Sequence, residues 1–557
     1  MVPLAGLLLA SSAAANAAEP ARADACAAAL HRAGCVAGEQ CTACAARHEA
    51  GLTKAGCTRE SVVAFCDPPS APPATLNGHP LKLDASGKIE TWLPNATAHK
   101  DFVTRAMDHI ASVPPDPATG LPIWFTHGQI PIYNNAHNPA GLFASWAQVA
   151  SMLHEYTGDA SWLPKVSAML EHLVGPNGTT PADPTWAYPS VPYASSDPGA
   201  LRYRGAADWD DFHQGTAYPA APFSSYDPIG RGDGYGVIQP DKVAEVGAAY
   251  LLMWKHDTSK AHFLQAAVNC AETLANTMNY KANATHSPWP FRVYAETGIV
   301  RQAYSSHVLP AIELFDKLME LDAPSPVTAA MAAQLKRARD AAWSWVAEYP
   351  LKNGNWCAMC EDITVRANAW TTFGNATAGQ ACGYDNYKSD NSCVTTCNYD
   401  SIQSLLFAQY MLRKRLPGWQ THVPAIIDLV ERRLIFWDQP GPPGPPGAVQ
   451  FGARTVSEQR ADKNRMSCHT TRYAATLQLY ADAIRETDAS AAAAAEENSK
   501  RSWAWATYSM DSSGLVDVTP GVGAAGKRTW FTVTMGVVMD TLVMVGVEPK
   551  DRVYTAL

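Results

Sequence analysis

The feature that most constrains the fold of this chain is a succession of amphipathic helical patterns. In each of them apolar residues recur at spacings of three and four, as on one face of an α-helix. The patterns lie near residues 98–113, 140–157, 160–174, 240–257, 259–279, 305–322, 326–348, 400–415, 420–437, 469–487, 490–511 and 526–546. The sequence therefore predicts twelve helices.

The connections between these helices alternate in length. Most short ones, such as Thr157 to Asp159 and Leu416 to Gly418, have only a few residues and predict antiparallel hairpins. The long ones cover about 114–139, 175–239, 280–304, 349–399, 438–468 and 512–525. This alternation predicts an all-α (α/α)6 toroid, in which six inner helices are enclosed by six outer ones. A helical solenoid is the alternative, but it would not need six long loops at one end.

Four motifs that precede or begin predicted helices add a resemblance to a known superfamily. They are Trp124-Phe-Thr-His-Gly, Gly232-Asp-Gly-Tyr-Gly, Cys360-Glu-Asp-Ile and Ser467-Cys-His-Thr-Thr-Arg-Tyr. With the helices, they make residues 90–546 resemble the six-hairpin glycosidase superfamily. The resemblance implies an enzyme that acts on carbohydrates, but it fits no individual family. The same toroid hosts glycoside hydrolases, polysaccharide lyases and uronate epimerases, so the fold alone does not choose among them.

The N-terminus predicts secretion. Residues 1–18 contain an apolar stretch that is too short to span a bilayer, and a cleavage-like Ala15-Asn16-Ala17 follows it, as in a signal peptide. No later segment has eighteen uninterrupted apolar residues, so we expect no membrane span. Possible glycosylation acceptors, which predict a glycoprotein, stand at Asn95, Asn177, Asn283 and Asn375.

Residues 24–67 contain six cysteines and predict a disulfide-rich accessory module. Three disulfides are expected there, with fifteen possible pairings. A zinc site at Cys41-x-x-Cys44 is the alternative, although a second such pair is missing at the usual spacing. Residues 68–80 read as a Pro-rich linker, and residues 81–557 as the toroidal catalytic domain.

The remaining cysteines suggest a second disulfide-bonded set. Five lie in the loop of residues 355–400, and Cys468 makes this set even. A bond from Cys468 to that loop would hold the loop beside His469. Cys270 remains alone in an apolar helix, where we expect a buried thiol.

Composition and missing motifs exclude several partners. The net charge of -9, without a basic stripe, argues against nucleic acid. The chain has no P-loop, no dinucleotide fingerprint and no H-E-x-x-H, and we predict no cofactor and no metal. The 17 Trp and 21 Tyr residues include candidates for stacking on sugar rings. A polysaccharide or oligosaccharide substrate and a monomeric state are expected.

The long connections should meet at one rim, because each precedes a predicted inner helix. Their carboxylates suit glycosidic cleavage, in which one carboxylic acid protonates the leaving oxygen and a second carboxylate attacks or activates water. The predicted catalytic residues are Asp233, Glu361, Asp362, Glu458 and His469. The predicted substrate-binding residues are Trp124, His127, Tyr235, Trp289, Arg292, Glu296, Arg472, Tyr473 and Trp530.

Structural roles compete with these assignments. Asp233 lies between glycines and suits a turn. The Glu361-Asp362 pair suits a helix cap. Glu458 could form an ion pair with a nearby arginine, and His469 could form a hydrogen bond to the backbone.

Three functions remain open. A glycoside hydrolase would use the paired carboxylates. A lyase or epimerase would use a Tyr or His as base, with an arginine that neutralises a uronate. The candidates for those roles are Tyr235, His469, Tyr473, Arg292, Arg454 and Arg472. The third function is a glycan-binding protein without catalysis.

Overall fold

A computed structural model of the chain divides into two compact units, Met1–Ala74 with Pro443–Ala448, and Thr75–Pro442 with Val449–Leu557. The structure describes residues 26, 28–30, 32–33, 35, 44, 48–55, 57 and 62 of the first unit. In the second unit it describes residues 75–115, 122, 129–130, 139–176, 178–193, 237–282, 287–305, 307–322, 326–352, 356, 401–435, 450–458, 465–520 and 529–547.

The first unit contains two disulfides among its described residues, Cys26–Cys57 and Cys35–Cys44. Both stay within the predicted cysteine-rich module. Helix α1, Glu49–Lys54, supplies Leu52 to a small apolar cluster that includes two of the bonded cysteines. Because this cluster is so small, the disulfides are the main source of its stability.

Twelve long helices form the described part of the second unit, as the sequence predicted. They are α2 Ala98–Ser112, α3 Pro139–Thr157, α4 Trp162–Val174, α5 Pro240–His256, α6 Ala261–Thr277, α7 Leu309–Met319, α8 Ala329–Val346, α9 Ser401–Lys414, α10 Trp419–Arg433, α11 Ser467–Ile484, α12 Ala489–Thr507 and α13 Phe531–Met544.

Six of these helices close into a ring. Helix α3 packs on α5, α5 on α7, α7 on α9, α9 on α11, α11 on α13, and α13 returns to α3. Each has an outer partner: α4, α6, α8, α10 and α12 follow their inner helices, whereas α2 covers α13. The double ring is an (α/α)6 toroid, and the predicted fold class is confirmed.

Local chemistry explains where the hairpins turn. Gly158 and Gly418 have φ values of 77° and 82° between paired helices, and glycine adopts this left-handed region without a steric penalty. Outer helices then begin at capping side chains. Thr328 accepts a hydrogen bond from Met331 N at α8, and Asp488 accepts one from Ala491 N at α12.

Short strands modify the predicted connections. Strands β1 (Thr75–Leu76) and β2 (His79–Pro80) form a hairpin, so residues 75–80 do not belong to the linker where the sequence placed them. The His79 ring bonds the Met510 carbonyl and anchors this hairpin to the turn after α12. A second hairpin follows in strands β3 (Lys82–Leu83) and β4 (Ile89–Glu90).

Three further pairings involve the long connections. Strand β5 (Gln129–Ile130) pairs with β9 (Thr529–Trp530). Strands β6 (Val237–Ile238), β7 (Pro290–Tyr294) and β8 (Val300–Ser305) form one antiparallel sheet. The predicted helix at 305–322 therefore starts only at Leu309, because the chain before it belongs to strand β8.

Candidate active site

The long connections meet at the rim where the inner helices begin. The β5–β9 pairing joins the segments just before α3 and α13, and the β6–β7 pairing joins those before α5 and α7. At α9, the Ser401 amide donates to the Glu458 carbonyl at 2.9 Å. At α11, the Ser467 amide donates to the Val518 carbonyl at 2.7 Å. The predicted convergence of the long connections is therefore found in the structure.

The inward side of α5 carries buried carboxylates. The Tyr250 ring lies 5.6 Å from the Phe263 ring of outer helix α6, which fixes the outward side. At about 100° per residue, Asp241 lies on the opposite side of the helix and Glu245 close to it. Both residues are buried, with exposures of 1% and 0%. Two carboxylates therefore face the interior of the ring from the first two turns of α5.

A buried lysine accompanies these carboxylates. Lys242 Nζ lies 3.3 Å from Glu245 Oε2 and 3.8 Å from Asp241 Oδ2. All three side chains are buried.

The inward side of α11 carries two predicted site residues. Ser499 of outer helix α12 donates to the Ala474 carbonyl at 2.7 Å, so Ala474 lies on the outward side of α11. His469 and Arg472, five and two residues earlier, fall on the opposite side of the helix. Both are buried.

Arg472 belongs to a network across three consecutive inner helices. Its Nε donates to Asp540 Oδ2 of α13 at 3.2 Å. The Gln409 amide of α9 lies 3.4 Å from Asp540 Oδ1 and 3.3 Å from the Arg472 carbonyl, and donates to both. These contacts fix the position of the guanidinium without using its terminal nitrogens.

His469 is uncharged in this environment. Burial, assisted by the positive charge of Arg472, holds its pKa well below the ordinary value. Among the residues that the structure describes, neither ring nitrogen of His469 has a hydrogen-bond partner. The predicted alternative, a histidine bonded to the backbone, is therefore not found.

Glu458 and Cys468 lie close to the same arginine. Glu458 is 3% exposed, and its carbonyl accepts from both the amide and the hydroxyl of Ser401. Burial raises the pKa of the Cys468 thiol to about 12; Arg472 opposes this shift and the charge of Glu458 adds to it. Cys468 and Cys270 are both buried free thiols. The disulfide predicted for Cys468 is therefore wrong, whereas the thiol predicted for Cys270 is confirmed.

Tyr473 points away from the ring interior. Its hydroxyl donates to Glu431 of outer helix α10 at 2.5 Å and accepts from Arg454 Nη1 at 3.2 Å. Arg454 also pairs with Glu431. These contacts join the inner helix α11 to the outer helix α10, and the roles predicted for Tyr473 and Arg454 in binding stay predictions.

Four other predicted residues lie in or beside the β6–β7–β8 sheet and strand β9. Trp289 is buried in the core, where its indole donates to the Leu274 carbonyl at 3.0 Å, so it has no face for a sugar. Glu296 is exposed in the turn between β7 and β8. Arg292 lies in β7 opposite Gln302, and Trp530 lies in β9 opposite Gln129.

The other predicted site residues lie outside the described part of the chain. They are Asp233, Glu361, Asp362, Trp124, His127 and Tyr235. Their roles stay predictions, and so does the placement of Glu361 beside His469.

Sequence reasoning missed the buried charges within the inner helices. The predicted site, which draws on the long connections, does not include Asp241, Lys242, Glu245 or Asp540. The available signal was charge inside otherwise apolar helices: each of these residues stands among Ala, Val, Leu and Met. Buried charges occur only where they are paired or functional.

Two further properties concern the described residues alone. They contain no group of three or more His, Cys, Asp or Glu side chains arranged to hold a metal ion. None of their helices is both long and apolar enough to cross a membrane.

No family model matches the chain, and no curated protein matches it. Among solved structures, it is similar to a family 76 glycoside hydrolase from a bovine Bacteroides thetaiotaomicron strain, with 10% identity and a TM-score of 0.43 over 81% of this chain and 77% of the other. It is also similar to a cellobiose 2-epimerase from Spirochaeta thermophila, with 8% identity and a TM-score of 0.48 over 81% of this chain and 98% of the other. A polysaccharide lyase is similar with 11% identity and a TM-score of 0.44, again over 81% of this chain and 98% of the other. Similarities this low assign no activity to the chain. The closed double ring is the (α/α)6 architecture that the sequence predicted.

Proposed function

We propose that this protein is a carbohydrate-active enzyme, a glycoside hydrolase whose site lies inside the inner ring. The observation that carries the proposal is the inward, buried pair Asp241 and Glu245, with Lys242 between them. A toroid with a purely structural interior would bury apolar side chains there, because burying charged groups is costly even when they are paired. Sites that run acid–base chemistry are where such arrangements are kept.

The chemistry requires two carboxyl groups with different protonation states. Lys242 favours ionised carboxylates at Glu245 and Asp241, which suits the base or the nucleophile. Glu458, which is buried at the rim before α11, is the proposed general acid. The acid gives its proton to the glycosidic oxygen as the bond to the anomeric carbon breaks. Water, activated by the base or attacking the glycosyl-enzyme, completes hydrolysis.

A lyase or epimerase is the second candidate, and one observation favours it. His469 is an uncharged, inward imidazole and could remove a proton from a sugar carbon. Tyr473, the tyrosine proposed to work with it, is held by Glu431 and Arg454 instead. We therefore rank a lyase or epimerase second to a glycoside hydrolase.

Secretion belongs to the same proposal. The two disulfides in the first unit suit an oxidising compartment, where such small modules depend on them. An extracellular polysaccharide or oligosaccharide is the corresponding substrate, and the proposed enzyme works as a monomer.

The test is a screen of the full-length protein against neutral and uronate-rich polysaccharides. New reducing ends without ultraviolet absorbance indicate hydrolysis, and unsaturated ends indicate a lyase. Glu245→Gln should lower kcat by at least about a hundredfold, as expected when a carboxylate that acts in the transition state is lost. Glu320→Gln, on the exposed end of α7, is the matched control and should leave kcat unchanged. Binding without turnover would favour a non-catalytic glycan-binding protein.

A further inference from the structure

The double ring is closed at one position by two helices from opposite ends of the chain. Five inner helices are each joined by a short connection to the outer helix that follows, whereas α13 is covered by α2. Residues 75–112, which contain strands β1 to β4 and helix α2, are called the N-terminal arm below. Its contacts with α12, α13 and the turn after α12 are called the seam. No short turn holds the arm at the seam, so its attachment depends on these contacts.

His99 lies in the seam where three helices meet. Its ring, on α2, stacks on the Trp503 ring of α12, with 3.9 Å between the ring centres. The Trp503 indole donates to Thr541 Oγ1 of α13 at 3.0 Å. Burial lowers the pKa of His99 to about 4, and no charged group among the described residues adds to this shift. The contact between α2 and α12 therefore uses an uncharged imidazole.

His79 attaches the beginning of the arm. Its Nε2 lies 2.9 Å from the Met510 carbonyl, and its ring stacks on Trp92 with 3.5 Å between the ring centres. Burial is the largest cause of a lowered pKa at His79. The charge of Asp511 and the carbonyls of Met510 and Asp511 oppose this shift, whereas Arg105 of α2 adds to it. The Arg105 guanidinium also lies 5.6 Å from the centre of the Trp92 ring, so a protonated His79 would place a second cation beside that indole.

The ion pair of the seam keeps its charge in weak acid. Arg501 of α12 donates to Asp84 and to the Ile89 carbonyl of the arm. The Ser86 hydroxyl and the Lys88 amide both donate to Asp84 and hold its pKa below the ordinary value. Asp84 is therefore ionised at pH 7 and at pH 5. Over this range the charge that changes when the arm detaches is that of the histidines.

We propose that the N-terminal arm is an acid-sensitive closure of the toroid, which detaches from α12 and α13 in weak acid because protonation of His79 and His99 favours the open form. In the detached arm both imidazoles meet water and titrate near pH 6.5. The closed form is therefore most stable above about pH 6.5 and loses stability as the pH falls. For His99 the loss continues to about pH 4, where the closed form also takes up the proton. The other five hairpins stay paired, since each has its own connection.

Hydrogen exchange on the full-length protein tests this closure. The equilibrium constant for opening is measured for the amides of α2 and of the inner helix α5 at pH 7 and pH 5, after correction for intrinsic exchange rates. At both pH values α2 should open more readily than α5, because detachment of the arm does not require the whole toroid to unfold. The opening constant of α2 should rise at least about tenfold from pH 7 to pH 5, as expected when His99 gains a proton on opening.

Two histidine variants identify the responsible groups. His99→Gln keeps a polar, uncharged side chain beside Trp503 and should reduce the rise of the α2 opening constant about tenfold. His172→Gln is the matched control, because burial also lowers the pKa of His172, which lies on α4 outside the seam. It should leave the rise at α2 unchanged. The measured quantity is the change between two pH values, so a variant that merely weakens the seam does not imitate the effect.

Three results would overturn the proposal. Equal opening constants for α2 and α5 at both pH values would mean that the arm opens only when the whole toroid unfolds. A rise of less than about threefold at α2 would mean that the seam is insensitive to acid. A folded His99→Gln variant with the same rise as the wild-type protein would exclude His99 as the cause. None of these measurements depends on glycan turnover, so the proposed hydrolase is tested separately.

Discussion

Two buried arginines of the toroid differ in how many of their side-chain nitrogens form hydrogen bonds. Arg501 on outer helix α12 uses all of its nitrogens: Nε donates to Glu497 at 2.8 Å, Nη1 to the Ile89 carbonyl at 2.8 Å and Nη2 to Asp84 at 2.5 Å. Arg472 on inner helix α11 uses only Nε for a side-chain partner. Arg501 therefore joins outer helix α12 to the two hairpin segments at Asp84 and Ile89, whereas Arg472 is held to α13 through Nε alone.

The same difference extends to the carboxylates. At the protein surface, ion pairs such as Lys336–Asp340 and Arg485–Glu496 are about half exposed or more. Such pairs contribute little to stability, since water competes for each charge. Inside the ring, Asp241, Lys242 and Glu245 are buried together. Charged side chains that are removed from water therefore occur on the inner helix α5.

The largest effect is expected from removing the donors of Arg472. Arg472→Met keeps about the length of the side chain but loses both terminal nitrogens, and Nε with its bond to Asp540. Two hydrogen bonds from a charged donor, at about 1.5 kcal/mol each, amount to about 3 kcal/mol in the transition-state complex. kcat/KM should therefore fall about a hundredfold on the polysaccharide that the protein cleaves. A decrease of less than about threefold in folded protein would remove Arg472 from the site.

The second-largest effect should be on stability and not on activity. Arg501→Met deprives Glu497 and Asp84 of their shared partner, although both carboxylates are partly exposed and can regain water. We expect the free energy of unfolding to fall by about 2 kcal/mol, less than for a fully buried pair. Urea unfolding measures this loss. kcat/KM per folded molecule should stay unchanged, and a large decrease would break the distinction between the two arginines.

The sequence predicted the fold well because the signal for it is local. The pattern at 140–157 became helix 139–157, and all twelve helices were found. Errors occurred where a distant partner decided the structure. The segment before Leu309 pairs as β8 with β7, and residues 75–80 pair across their own turn while bonding to Ser509 and Met510. No local periodicity reports such partners.

The site was only partly predictable, since direction on a helix matters more than residue type. Arg472 and Tyr473 are adjacent and equally suited to binding, yet they differ by about 100° around α11. Arg472 therefore faces the ring interior and Tyr473 faces α10. The sequence does not show the surroundings of Asp241 and Asp540, because a charged residue in an apolar helix does not indicate which neighbouring helix its side chain contacts.

Tyr473 provides a third, smaller effect that also separates hydrolase from lyase. Tyr473→Phe removes the hydroxyl that donates to Glu431, while the bond from Arg454 to Glu431 remains. The free energy of unfolding should fall by about 1 kcal/mol, the usual value for one hydrogen bond to a partner that keeps another. kcat/KM should change by less than about twofold. A loss of activity of a hundredfold or more would instead identify Tyr473 as the base of a lyase.

The smallest effect is a pH dependence that His469 imposes on stability. Because burial and Arg472 hold its pKa in the folded protein well below the ordinary value of 6.5, the unfolded chain takes up a proton that the folded chain does not. The stability that His469 contributes is therefore present above about pH 6.5 and is lost as the pH falls below it, by up to about 1.4 kcal/mol per pH unit.

His469→Gln should remove this part of the slope when urea unfolding is measured between pH 7 and pH 5. His99 supplies the matched control outside the inner ring. Burial against Trp503 lowers the pKa of His99 to about 4, so it adds a slope of the same sign. His99→Gln should therefore lose the contribution of His99 and keep that of His469, with kcat/KM unchanged. If His469→Gln has the same slope as the wild-type protein, His469 has the same pKa in the folded and unfolded states, and the lowered pKa in the folded protein is wrong.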